Sequence, residues 1–292
     1  MVFKDAEIDS LLPPLKLNRR GFIATGVAAG FSLAAGPVAA QTAIKTDSKG
    51  LVAGRVDIPT TDGKMPAYRA APEGKKGLAT LLVVSEIFGV HEYIQDVCRR
   101  LAHQGYLAIA PELFARQGDP AKYSDIATLR AQIIDKVPDA QVMADLDATA
   151  AWAAANGGAA DKLGILGFCW GGRIVWLYAA HRAGLSAGAA WYGQLGGAPS
   201  ELKPRSVLDV VPNLQAPVLG AYGGKDAGIP LADVDKMRVA LAKGPAAAKA
   251  SRIDVYPDAP HAFHADYRPS FHKAEAEQAW QRMLDWFKQN GL

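Results

Sequence analysis

The sequence has little cysteine. Two residues in 292, Cys98 and Cys169, cannot build a disulfide framework, and neither sits in a Cys-x-x-Cys or zinc-ligand spacing. It also lacks an excess of charge of either sign. Lys and Arg number 32 against 29 Asp and Glu, without long basic runs, so nucleic acid is not an expected partner. No internal repeat and no break marking a second domain is visible. What the chain does have is size and apolar content. It is half hydrophobic and 21% charged, which suits one large globular domain that buries its core without a disulfide or metal staple.

The N-terminus reads as an address. Residues 18–40, NRRGFIATGVAAGFSLAAGPVAA, carry paired arginines, then Phe22, then a Gly/Ala-rich apolar stretch ending in Val38-Ala39-Ala40. This is the pattern of a twin-arginine export signal with cleavage before Gln41, although Asn18 stands where Ser or Thr is usual. A retained membrane anchor is the alternative. The stretch is glycine-rich and weakly hydrophobic for a spanning helix, so no stable anchor is expected. The expected organisation is a signal over 1–40, a disordered polar lead over 41–51 and one domain over 52–292. The twin-arginine machinery is then a partner and the periplasm the destination. Removal of residues 1–40 leaves a net charge of +2. Folding in the cytoplasm before export suits a protein that keeps a free thiol in an oxidising compartment. A Cys98–Cys169 bond is the alternative, but Cys98 lies in the helix-like segment EYIQDVCRRLAHQG and reads as core.

Beyond residue 51 the pattern alternates strands and helices. Strands are expected at Val52–Ile58, Ala67–Ala70, Thr80–Val84, Leu107–Ala110, Leu163–Gly167, Ala187–Trp191, Val218–Tyr222 and Arg252–Tyr256. Several are short continuous apolar runs, as strands buried on both faces of a parallel sheet require. Helices are expected at Tyr93–His103, Ser124–Asp135, Ala140–Ala155, Trp170–Ala180, Leu231–Ala242 and His272–Gln289. Val142, Leu146, Thr149 and Trp152 on one helix, and Ala279, Met283, Trp286 and Phe287 on another, form core stripes. The alternation predicts an α/β sandwich with helices on both faces of a mostly parallel twisted sheet. The turn TTDGK between the first two strands predicts an antiparallel start.

Residues 164–173, GILGFCWGGR, place Cys169 between glycines at 167 and 171. This fits the nucleophile elbow Gly-x-Ser-x-Gly with cysteine in the serine position. A strand turning sharply into a helix sets the nucleophile in a strained backbone conformation. Side chains at the flanking positions would collide with neighbouring chain, hence glycine. The first N–H groups of the following helix then point at the sulfur and stabilise a thiolate or an oxyanion. A structural cysteine at a strand end is the bland alternative.

An elbow nucleophile needs an acid and a base, in that chain order. Asp226 follows the strand Val218–Tyr222 in Tyr222-Gly-Gly-Lys-Asp226, and His261 is the first histidine after the last strand. Each alone reads as a solvated loop residue; together with the elbow they read as a triad. Glu86, after the strand Thr80–Val84, is a carboxylate among apolar residues, and the N–H groups of Ile87 and Trp170 are the candidate oxyanion donors. His264 lies three residues after His261 and His272 farther along; a His-x-x-His metal reading is possible but lacks helical phasing and a third ligand with clear spacing. His91, His103 and His181 read as loop or helix-surface residues.

With these residues in view the chain resembles the dienelactone hydrolase family of α/β-hydrolases over residues 52–290. The resemblance rests on Glu86-Ile-Phe-Gly89, Pro111-Glu-Leu-Phe-Ala-Arg116, Gly167-Phe-Cys-Trp-Gly-Gly172, Gly-Gly-Lys-Asp226 and His261-Ala-Phe263, in that order. It implies attack by Cys169 on a lactone or ester carbonyl, with His261 and Asp226 completing the triad and no cofactor or metal. It implies that Glu86 interacts with the thiol and with Arg116, and that substrate binding shifts Glu86 so that the thiolate forms on demand. A resting thiol resists oxidation. Arg116 is then also a substrate-carboxylate ligand, and Tyr192 lines the pocket. Two positions depart from the family pattern. Ala265 stands where the dienelactone enzymes carry a second substrate-binding arginine, for which Arg268 is the candidate substitute, and Trp170 replaces a smaller aliphatic residue. A carboxylated lactone is therefore not a secure substrate. A general carboxylesterase or thioesterase, a periplasmic binding protein on a retired hydrolase fold, and a thiol redox sensor are the competing expectations. A monomer is the default.

Overall fold

The computed structural model describes residues 43–292, so the export signal expected over 1–40 lies outside the described residues. Strands β1 (Leu51–Thr60) and β2 (Gly63–Pro72) form an antiparallel hairpin closing at the pair Thr60↔Gly63, where Gly63 has φ +148°. β2 also pairs antiparallel with β4 (Leu107–Pro111). The remaining pairings, through β3 (Leu78–Val84), β5 (Gly158–Phe168), β6 (Ala187–Trp191), β7 (Val218–Gly223) and β8 (Arg252–Tyr256), are parallel. The order across the sheet is β1-β2-β4-β3-β5-β6-β7-β8. β4, β6 and β7 are buried along their whole length, which explains their continuous apolar sequences.

The helices are α1 (Glu92–His103), α2 (Ile126–Gln132), α3 (Asp139–Ala155), α4 (Trp170–His181), α5 (Val207–Val210), α6 (Leu231–Lys243), α7 (Ala246–Ala250) and α8 (Lys273–Gln289). The expected stripes are buried, with Val142, Leu146 and Thr149 on α3 and Ala279, Met283, Trp286 and Phe287 on α8. Trp152 is half-buried, with the Arg69 guanidinium 5.9 Å above its ring.

Three expectations need correction. The helix expected over Ser124–Asp135 is shorter. Asp125 caps it by accepting from the Thr128 N–H at 2.7 Å, and Ile133 leaves helical geometry before a 3-10 turn at Ile134–Lys136. β5 begins five residues earlier than expected, because its first half exposes Ala160, Asp161 and Lys162 and carries no apolar run. The lead is not loose over its described part. The Thr46 N–H donates to Asp96 Oδ1 at 2.5 Å, the Arg99 Nε–H donates to the Thr46 carbonyl at 2.8 Å, and Leu51 already belongs to β1. Asp96 is buried between Arg99 and Arg100, so the lead closes an ion-pair cluster that continues to Asp266. Cys98 and Cys169 are both free thiols, and burial pushes the Cys98 pKa up.

Candidate active site

The elbow forms for steric reasons. Cys169 has φ +54° and ψ −115°, between the end of β5 and the first residue of α4. A Cβ on Gly167 would lie 2.4 Å from the Gly171 carbonyl oxygen, and one on Gly171 would lie 2.4 Å from the Val84 carbonyl oxygen. The flanking glycines let the helix start press against β3. The Cys169 N–H donates to the Trp191 carbonyl at 3.0 Å, which holds the strained residue in place.

Two other non-glycine residues have positive φ, Tyr192 at +38° and Ala262 at +57°. Tyr192 follows β6 and Ala262 is adjacent to His261, so all three strained residues of the described chain stand around one site. Such conformations cost about 1–3 kcal/mol each and persist where surrounding contacts over-determine them.

β7 and β8 bring Asp226 to His261. A Cβ on Gly223 would lie 2.3 Å from the Ala259 carbonyl oxygen, so the two strand-end loops can touch only with glycine there. The Gly224 N–H donates to the Tyr256 carbonyl at 2.8 Å, and the Lys225 N–H to the Ala259 carbonyl at 3.0 Å. Asp226 Oδ2 then lies 2.7 Å from His261 Nδ1, while Oδ1 accepts from the Gly228 and Ile229 N–H groups at 2.8 and 3.2 Å. His261 Nε2 makes no geometrically defined hydrogen bond. Burial opposes charge on this ring, but a Cys169 thiolate and the Asp226 carboxylate outweigh burial and raise its pKa to about 10. The Tyr192 ring stands edge-on to the imidazole, centroids 5.2 Å apart.

Glu86 is 1% exposed, deeper than a turn carboxylate should be. Tyr267 donates to its Oε1 at 3.2 Å, and its Oε2 lies 3.2 Å from His91 Nε2. Both oxygens are engaged without Cys169. Its charge reaches the site nonetheless, since burial first, then Glu86 and Cys169, hold the Tyr192 pKa well above the ordinary phenol value. His91, expected as a loop or helix-surface residue, is the loop residue that packs against this carboxylate. It sits before α1 with its side chain 12% exposed, its ring 5.1 Å from that of Tyr267.

Arg116 is the clear correction. It is bound to Asp62 of the β1–β2 turn and to Asp145 of α3, with Nη1 2.6 Å from Asp145 Oδ2. Neither Glu86 nor the Cys169 pocket is among these partners. The value of its motif to the site comes from other members. Glu112 Oε2 accepts from the Val90 N–H at 3.1 Å and so shapes the loop that carries Glu86, and Phe114 packs 4.8 Å from Trp170. Arg268 and Tyr267 are buried, and the Arg268 charge acts on both Tyr267 and Tyr192. Ala265 is fully buried.

The His261-x-x-His264 pair does not converge. The His264 ring stacks between Phe168 and Trp280 at 5.4 and 5.3 Å, with Nδ1 2.6 Å from the Tyr93 hydroxyl. Burial holds its pKa well below the ordinary imidazole value. Among the described residues no group of three or more His, Cys, Asp or Glu is placed to hold a metal, and no helix is long and apolar enough to cross a membrane.

Two spaces meet at Gln194. One, about 10 Å³, lies between Cys169, Tyr192, Gln194, Gly228, Ile229 and His261. The other is an open cleft of about 500 Å³ whose floor includes Ile87 and Trp170. Trp170 opens α4, so its N–H has no acceptor within the helix.

Known proteins resemble this chain over most of its length. The model of the dienelactone hydrolase family matches residues 65–291. A Methylorubrum extorquens protein provisionally named carboxymethylenebutenolidase is 55% identical over 289 residues, covering 99% of this chain and 98% of its own. An Escherichia coli protein with the same provisional name is 54% identical over 270 residues, covering 92% of this chain and 98% of its own. A Klebsiella pneumoniae crystal structure, provisionally named a dienelactone hydrolase, superposes with TM-score 0.79 at 56% identity, covering 82% of this chain and 99% of that one. A dienelactone hydrolase-like phosphotriesterase from metagenomic libraries shares the fold at TM-score 0.66 and 21% identity, covering 82% of this chain and 98% of its own. The eight-stranded mixed sheet with helices on both sides is thus an α/β-hydrolase fold, and the chain belongs to the dienelactone hydrolase family of hydrolases.

Proposed function

We propose that the protein hydrolyses a lactone or ester through Cys169, with His261 as base and acid and Asp226 as its orienting carboxylate. The observation that carries this reading is the 2.7 Å contact between Asp226 and His261 in a pocket that Cys169 shares. The thiolate adds to the carbonyl carbon, and the N–H groups of Ile87 and Trp170 receive the developing oxyanion. Collapse breaks the carbon–oxygen bond, and the leaving alkoxide or enolate takes a proton from the His261 imidazolium. Neutral His261 then takes a proton from water, which attacks the thioester and releases the acid and the thiol. Asp226 holds the proton of Nδ1 on the Asp226 side throughout. No metal or organic cofactor enters these steps.

Glu86 helps to ionise the thiol in this scheme, and Tyr192 and Arg268 contact substrate. Ala265, buried where the dienelactone enzymes carry an arginine, favours a general small-ester or thioester hydrolase as the second reading. Dienelactone turnover by the purified protein, followed by ultraviolet absorbance beside Cys169→Ala, separates the two. Turnover lost in the variant supports lactone hydrolysis. Turnover of 4-nitrophenyl acetate alone, again lost in the variant, supports the second reading. Activity retained by Cys169→Ala removes the thiol mechanism.

We also propose export through the twin-arginine pathway, on the sequence of residues 18–40. A reporter fused after residue 40 should reach the periplasm, and Arg19→Lys with Arg20→Lys should hold it in the cytoplasm. A monomer remains the proposed state, tested by light scattering of the mature protein.

A further inference from the structure

The two spaces at the nucleophile are very unequal. The cleft measures about 500 Å³, and the space between Cys169 and His261 about 10 Å³. The smaller volume is roughly what one water needs. Proton transfer decides which end of an ester enters which space. An alkoxide leaves readily only when it is protonated, so its oxygen must reach His261. His261 lines the small space and takes no part in lining the cleft. In the proposed scheme the carbonyl oxygen points to Ile87 and Trp170, which line the cleft. The acyl group therefore extends into the cleft past Gln194, which borders both spaces, and the alcohol group enters the small one.

The walls of the small space are fixed. Asp226 Oδ1 accepts from the Gly228 and Ile229 N–H groups, so the turn that closes the space is tied to the carboxylate that holds His261. Widening the space at this turn would strip two donors from Asp226. On its other side the turn runs into α6. Pro230 stands at the N-cap, its carbonyl accepts from the Asp233 N–H at 2.9 Å, and its ring keeps Ile229 out of helical backbone. The Ile229 side chain is buried and β-branched, with few rotamers in which to turn aside. Tyr192 forms another wall. Its strained backbone is held by its N–H, which donates to the Ala221 carbonyl at 2.8 Å, and its ring packs against those of His261 and Phe263 with centroids 5.2 and 5.5 Å away.

We infer that the small space is a leaving-group subsite whose size is set by Ile229, and that the preferred open-chain substrates are methyl esters. This rests on the thiol-hydrolase reading above, which supplies the direction of the substrate. A lactone meets the same limit, because its alkoxide stays bonded to the acyl chain. The same space then admits the water that completes turnover. A 4-nitrophenyl ester is blind to the limit. Nitrophenolate departs without a proton from His261, so its ring can lie in the cleft.

The test compares methyl and butyl methoxyacetate, two activated esters with one acyl group, by titration of the acid released. The wild type should favour the methyl ester in kcat/KM by about tenfold or more, the scale on which a pocket discriminates by size. Ile229→Ala should reduce this ratio severalfold, chiefly by raising turnover of the butyl ester. Ile229→Val should move it the same way by less, and a far-ultraviolet spectrum matching wild type shows that each variant is folded. The ratio of methyl methoxyacetate to methyl hexyloxyacetate should not move with Ile229, because both acyl groups lie in the cleft. A general loosening of the site would move both ratios and overturn the assignment. Equal turnover of methyl and butyl esters by the wild type, or a methyl-to-butyl ratio unchanged in both variants, also overturns the subsite and leaves the hydrolase reading intact. So does turnover of 4-nitrophenyl acetate with no alkyl ester accepted. Failure to turn over any of these esters, with the thiol shown to be reduced, overturns the hydrolase reading itself and the subsite with it.

Discussion

His91 Nε2 lies 3.2 Å from Glu86 Oε2, and the two groups stand five residues apart in the loop that leaves β3. Tyr267 holds the other oxygen, so a carboxylate almost fully removed from water is gripped from two sides. His91→Ala leaves Oε2 without this partner. A buried acceptor stripped of its partner costs about 1–3 kcal/mol, so urea unfolding should show a loss in that range. If Glu86 ionises the thiol, the rate of Cys169 alkylation by iodoacetamide should change as well. Tyr267→Phe serves as the comparison, removing the donor to Oε1 with little change of shape. An unchanged midpoint and alkylation rate in both variants would show that Glu86 is held and used by other groups.

Asp226→Asn should keep the fold and lose the chemistry. The asparagine oxygen can still accept from the Gly228 and Ile229 N–H groups, as Asp226 Oδ1 does now. Its amide would face His261 Nδ1 with a donor and favour the wrong tautomer. A fall in kcat of roughly 10³-fold or more, with the melting temperature nearly kept, is the expected outcome. A fall below tenfold would show that His261 is oriented without Asp226.

Gly171→Ala tests the elbow. Its Cβ would lie 2.4 Å from the Val84 carbonyl oxygen and 2.7 Å from that of Ser85, both backbone atoms of the strand end and the loop that carries Glu86. Overpacking of this kind costs about 1–3 kcal/mol or more. Gly54→Ala on β1 meets nothing within 4 Å and should stay within about 0.5 kcal/mol of wild type. Equal stability of the two variants in chemical denaturation would contradict the packing argument.

The strand-end geometry is legible in the sequence because it is punctuated by glycine. Gly167, Gly171, Gly223 and Gly224 each mark a close backbone approach that the structure contains. Cys169, Asp226 and His261 stand together for that reason. The groups around Glu86 were less visible. His91 lies beside α1 and reads from the sequence only as a loop or helix-surface residue, and only the fold brings Tyr267 across 181 residues to Glu86. Arg116 misled for the opposite reason. Its local motif is recognisable, but its direction is set by Asp62 and Asp145, two partners remote in sequence. Short helices such as α5 and α7 contain too few residues for a period to show.

Arg116→Ala follows from that correction. Asp145 is 2% exposed, and burial raises its pKa although Arg116 pulls the other way. Removal of the guanidinium should destabilise the protein near neutral pH, where Asp145 would be left buried and unpaired. Away from the site, ester kcat/KM should stay within a factor of about three. A much larger loss of kcat/KM in a folded variant would restore Arg116 to the substrate site.

Burial alone would lower the His261 pKa, and the raised value of about 10 depends first on a Cys169 thiolate and next on Asp226. Cys169→Ala removes the larger raising influence and leaves burial in place. The imidazole of the variant should therefore titrate at lower pH than in wild type, read from its carbon-13 shifts in histidine-labelled protein. A His with a raised folded pKa contributes stability that is complete below its unfolded pKa, near 6.5, and is lost as pH rises toward about 10. The wild type should thus lose stability relative to Cys169→Ala across that window, measured by urea midpoints at several pH values. In the proposed scheme acylation also consumes the thiolate, so the same fall in pKa would turn His261 into a base when water must be activated. If the imidazole titrates identically in both proteins, the thiol is neutral at rest, and its ionisation belongs to the step in which substrate arrives.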